Sequence, residues 1–180
     1  MQKYLLTISP MLTLMFSMAG TANAASNAQM TITSNVVPAT CDVSVSHPNL
    51  DLGNFTKASF SEINKPIAKS IKTFTLGLSN CEMPPGADST VSVKVTGETK
   101  VPNNNVFNKT GTNTGIMLSM KDNEYIKSGD VLPIAQSGAT PNPEEINGST
   151  LNLKAGLAST SSEPDLGEVI APVLFSLVYN

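Results

Sequence analysis

Along most of this chain hydrophobic and polar positions alternate over short runs, and stretches rich in Pro, Gly, Asn and Ser separate the runs. A period of two is the signature of a half-buried strand. The pattern predicts strands at 41–47, 50–55, 71–80, 90–96, 115–121, 125–127, 131–134, 150–157 and 170–180. Phe74, Leu76 and Leu78 share one face, as do Val91, Val93 and Val95, Ile116, Leu118 and Met120, and Leu151, Leu153, Ala155 and Leu157. Gly53 in the second run suggests a bulge or a close backbone approach. The intervening segments 83–88, 100–114, 137–147 and 159–167 carry turn residues and are expected to be loops. No long 3.6-residue period and no internal repeat occurs. Short strands at this spacing predict an all-β chain, an antiparallel β-sandwich of immunoglobulin-like type.

The terminal run is apolar on both faces. Val173, Phe175, Leu177 and Tyr179 alternate on one, and Leu174 and Val178 lie on the other. Such a strand wants a central place, yet the sequence stops within it, so the sandwich from Cys41 onward is expected to be incomplete, lacking its last strand. A missing strand leaves an apolar groove and an unpaired edge, which templates pairing with another chain. Residues 25–39 form a second unpaired strand pattern, with Met30, Ile32, Ser34 and Val36 alternating against Thr31, Thr33 and Asn35 before Pro38. This arm could fill its own chain's gap and close a monomer. Filling a neighbour's gap by strand addition would give a head-to-tail filament.

Residues 1–24 read as a secretory signal: Lys3, an apolar stretch over 4–19, and the small-residue triplet Ala22-Asn23-Ala24. Cleavage after Ala24 would leave an arm at 25–39 and a domain at 40–180, 156 of the 180 residues. All 11 basic residues are Lys, and there is no Arg or Trp; without Lys3 the balance is 10 against 14 acidic groups, a net −4. That is a poor match to nucleic acid, whose phosphates need a basic patch. Charged residues make up 14% of the chain, against roughly 25% in ordinary domains, which suits a chain that faces the outside of a cell or is packed into an assembly.

Cys41 and Cys81 are the two cysteines. In an exported chain they are expected to form one disulfide, worth roughly 4 kcal/mol in the chain-entropy model, that pins the first strand to the second. The alternative, a metal site or reactive thiol, has little to draw on with one His and no CxxC. His47 lies beside Pro48 and reads as an exposed turn residue. No G-x-S-x-G elbow accompanies the many serines. Glu144-Glu145 and Glu163-Pro-Asp165 lack the ligand spacing of a calcium loop and read as solvated. Asn54, Asn108 and Asn147 begin N-x-S/T triplets, read here as chance in an Asn-rich chain.

Several of these segments together resemble the pilin subunits of chaperone–usher fimbriae in Gram-negative bacteria, over nearly the whole chain. They are the arm Met30-Thr-Ile-Thr-Ser-Asn-Val-Val37 ahead of the first cysteine, the Cys41/Cys81 spacing, Leu52-Gly53-Asn54-Phe55, the run ending Ser79-Asn80-Cys81, the strands at 115–122 and 151–157, and Gly167 followed by Phe175 and the penultimate Tyr179. The last combination is specific. The resemblance implies a sandwich completed by donor-strand addition. A periplasmic chaperone would lend a strand and anchor the carboxylate of Asn180. At the outer-membrane usher, another subunit's arm would replace it. Met30, Ile32, Ser34 and Val36 would be the inserted residues; Gly167, Val173, Phe175, Leu177, Tyr179 and Asn180 would form the receiving strip. Ser34 stands where many arms of the family carry Gly, and a hydroxyl turned into a groove needs a partner.

The expectation is therefore a structural fimbrial subunit on the bacterial surface, contributing to cell adhesion. It would polymerise with neighbouring pilin subunits, without enzymatic activity, cofactor or nucleic-acid partner, and would be too short for a tip adhesin's extra domain. The competing class is a self-contained secreted sandwich that binds a carbohydrate or protein, for which a surface cluster of aromatics is lacking.

Overall fold

The computed structural model describes residues 41–82, 87–100, 104–136, 138 and 142–179. The predicted signal and the arm, with Met30, Ile32, Ser34 and Val36, lie outside the described residues, as does Asn180.

Among the described residues eight strands form two antiparallel sheets: β1 (Asp42–Val45), β2 (Lys72–Ser79), β3 (Thr90–Gly97), β4 (Thr114–Lys121), β5 (Glu124–Ile126), β6 (Val131–Gln136), β7 (Thr150–Ser159) and β8 (Val173–Tyr179). One sheet has the order β1-β2-β7-β4-β5 and the other β6-β3-β8. The alternation in the sequence sets which side chains lie between them. Phe74, Leu76, Val93, Val95, Leu118 and Leu153 form the main buried cluster, and Val173 and Phe175 of β8 pack against it. Leu78, Cys81, Val91 and Ile146 form a second cluster at the disulfide end, joined by Leu177 and Tyr179. The Cys41–Cys81 bond ties the residue just ahead of β1 to the second residue past the end of β2, near the pair Asp42↔Ser79.

Three expectations need correction. Residues 50–55 form no strand: Gly53 sits at φ +95° and its N–H donates to Asp51 Oδ1 (2.8 Å), an Asx turn rather than a ladder position. The 100–114 stretch is not wholly surface loop. Val106 and Phe107 are fully buried, and Phe107 exchanges backbone hydrogen bonds with Ile116 (2.8 and 2.9 Å). Their seat depends on Gly115, where a Cβ would come within 2.5 Å of Val106 Cγ1. Within 137–147, Pro143–Ile146 forms one helical turn, α1. The Asn142 side chain caps it by accepting from the Glu144 N–H, Pro143 opens it, and Ile146 is buried in the second cluster.

β8 pairs with β3 from Val91↔Tyr179 to Gly97↔Val173, and among the described residues no strand pairs with its other side. Leu174, on its outer face, is 64% exposed.

Candidate strand-binding groove

The edge of β8 that no described strand pairs with borders an open groove of about 530 Å³. Its floor is built by inward residues of three strands of the larger sheet: Phe74 of β2, Ile116 and Leu118 of β4, and Ala155 and Leu157 of β7. Val173 and Phe175 of β8 form one wall, and the Phe175 ring lies 6.0 Å from that of Phe74 at a tilt of 53°. Leu50, Leu52, Phe55 and Phe60 form the opposite wall. Among the described residues no backbone hydrogen bond joins β8 to that wall or to β1. Among the described residues the groove thus presents an apolar floor beside a strand edge that carries no ladder hydrogen bonds, the two requirements for adding an extended segment.

The opposite wall is held by single contacts, not a ladder. Lys72 Nζ, at the start of β2, donates to the Asp51 carbonyl (2.6 Å), and the Thr75 N–H donates to Ser46 Oγ (2.9 Å). Residues 164–169 close the groove at the end where β8 begins, and Gly167 among them has φ +137°, a conformation that favours glycine.

The predicted receiving strip divides in two. Gly167, Val173 and Phe175 line the groove. Leu177 and Tyr179 lie beyond it, in the cluster around the disulfide, where Tyr179 Oη donates to Cys41 Sγ at 3.7 Å. Burial, and secondarily the Glu82 carboxylate, push the Tyr179 phenol up from its ordinary value of 10.0. Sequence reasoning placed Phe74, Ile116, Leu118 and Leu157 on inward strand faces without marking them as floor. Periodicity reports which side of a strand is apolar, not which inward residues a neighbouring element leaves uncovered. The aromatics Phe55 and Phe60, five residues apart in a run with no clear strand after 55, were the available signal for the far wall.

Charged side chains line the groove as well: Asp51, Asp165 and Glu168, with Lys57. The two ion pairs among the described residues, Lys65–Glu62 (2.8 Å) and Lys154–Asp122 (2.6 Å), involve side chains at least a third exposed and lie outside it. No group of three or more His, Cys, Asp or Glu that could hold a metal occurs among the described residues. His47 Nδ1 shares a 2.9 Å hydrogen bond with Ser46 Oγ, whose other contact is the backbone of β2. Of the asparagines in N-x-S/T triplets, Asn108 is buried in hydrogen bonds to Thr110, Thr112 and Thr114, and Asn147 Oδ1 accepts from the Cys81 N–H (2.9 Å).

No family model and no curated protein matches the sequence. Solved structures do match in fold. The P pilus rod subunit PapA superposes with a TM-score of 0.53 at 19% identity, covering 84% of this chain and 99% of PapA. A type I fimbria protein and antigen of Burkholderia pseudomallei gives 0.52 at 18% identity, covering 78% and 99%. A subunit from a chaperone–usher pilus studied for its rod uncoiling gives 0.51 at 19% identity, covering 87% and 98%. The chain thus has the immunoglobulin-like sandwich fold of chaperone–usher pilus subunits; at these identities the likeness is one of fold.

Proposed function

We propose that this protein is a structural subunit of a chaperone–usher fimbria and polymerises by donor-strand exchange. The reading is supported by β8, which among the described residues is paired on one side only and borders the groove. The alternating segment 25–39, immediately ahead of the disulfide, has the length and pattern to lie along that edge in another copy, with Met30, Ile32, Ser34 and Val36 turned to the floor. Before assembly a periplasmic chaperone covers the same edge, and the outer-membrane usher is where the arm of the next subunit replaces it. Gly167, Val173, Phe175, Leu177, Tyr179 and the terminal Asn180 form the strip both partners contact. Residues 1–24 direct export, the finished polymer stands on the cell surface and contributes to adhesion, and the subunit has no catalytic role. The likeness in fold to pilus subunits supports this reading.

The test compares residues 25–180 with residues 40–180, adding residues 25–39 back as a peptide. Burying about three large apolar side chains at ~1.5–3 kcal/mol each predicts that the peptide raises the melting temperature of the shortened chain by roughly 10–30 °C. A shortened chain that melts like the longer one and ignores the peptide would show a self-contained domain.

A further inference from the structure

The groove wall at residues 164–169 hangs between two attachments. At one, Asn113, just ahead of β4, grips Asp165 reciprocally: its backbone N–H donates to Asp165 Oδ2, and its Oδ1 accepts from the Asp165 N–H, both at 2.8 Å. Asn113 Nδ2 also donates to the Glu163 carbonyl, and the Asn113 carbonyl accepts from the Thr160 N–H, again both at 2.8 Å. At the other attachment the Lys109 N–H donates to the Ile170 carbonyl (2.8 Å). Among the described residues no hydrogen bond involves 166–169. Leu166 in that span lines the groove yet is 77% exposed, next to Gly167 at φ +137°.

An exposed leucine beside an apolar floor is driven to bury itself. Turning inward, it would occupy the mouth that an incoming strand must enter. The backbone one residue away is fixed by the grip on Asp165. We propose that Asn113 is a positioning residue for strand capture: its hydrogen bonds to Asp165 hold Leu166 off the groove floor and keep the mouth open. This rests on the strand-capture reading above.

The experiment dilutes unfolded chain 25–180 into an excess of fluorophore-labelled peptide 25–39. The capture rate is followed by anisotropy, and release is measured with unlabelled peptide. Losing about one net hydrogen bond's worth of restraint predicts that Asn113→Ala captures roughly fivefold more slowly, with release unchanged. Asn113→Ala combined with Leu166→Ser should return to within about twofold of the wild-type capture rate, because the obstructing side chain is gone. Asp165→Ala should reproduce the slow capture if Asn113→Ala does not fold, while Asp165→Asn, which keeps an acceptor for the Asn113 N–H, should capture normally. Lowered melting temperature with unchanged capture, or slow capture that Leu166→Ser does not relieve, overturns the inference and leaves Asn113 a structural residue. Absence of capture by the wild-type chain overturns the strand-capture reading itself.

Discussion

At the residue scale, much of the packing that shapes the groove depends on two side chains in a polar stretch. Phe107 lies fully buried against the main cluster, and its backbone brackets Ile116, a floor residue. Phe107→Ala should therefore destabilise the chain by about 3–5 kcal/mol, read as a shift in the denaturant midpoint at constant slope. Nothing in the sequence around Asn103–Asn105 announces this, because an isolated apolar pair shows no period; the glycines that admit it are visible only once the chain is folded. Tyr179 provides a second handle. Its phenol is raised above 10.0, so the neutral form is favoured in the folded state. Its contribution is complete below the ordinary tyrosine range and is lost as pH rises through the raised value. Tyr179→Phe should leave stability between pH 5 and 8 almost unchanged and reduce the loss seen above about pH 10 in pH-dependent melts.

At the scale of elements, the strands were legible wherever alternation ran for six residues or more. β2, β3, β4 and β7 fall within two residues of their predicted limits, and their inward faces are the ones the pattern assigned. The predicted strand at 50–55 failed for a local reason: Asp51 satisfies the Gly53 N–H with its side chain, and the positive φ at Gly53 bends the chain off any ladder. α1 was missed although its signals were present, an Asn cap, Pro at the first position and two acidic residues in the first turn, because four residues are too few to show a helical period. The disulfide is the covalent counterpart of these elements. It joins β1 to β2 at the end where Leu177 and Tyr179 pack. Replacing both Cys41 and Cys81 by Ser should cost roughly 4 kcal/mol in the chain-entropy model, measured by denaturant unfolding of chain 25–180.

At the scale of the whole molecule, the described residues form sheets of five and three strands. Among them β8 is the outer strand of the smaller sheet, and the groove of about 530 Å³ lies beside it. The apolar final strand was legible in the sequence and is present as β8; the alternating arm at 25–39 lies outside the described residues. What the sequence did not convey was the composition of the groove, whose floor comes from three strands distant in sequence and whose far wall is irregular.

The central claim, that a strand from another copy adds to the groove-side edge of β8, is tested most directly by amide hydrogen exchange across Val173–Tyr179 in chain 40–180, with and without peptide 25–39. In the chain alone, alternate amides bonded to β3 should be slow, and those facing the groove should exchange as open edge groups. Adding the peptide should slow the second set by orders of magnitude, as ladder hydrogen bonds form. If those groove-facing amides exchange at the same rate with and without peptide, no strand is added at this edge and the account is wrong.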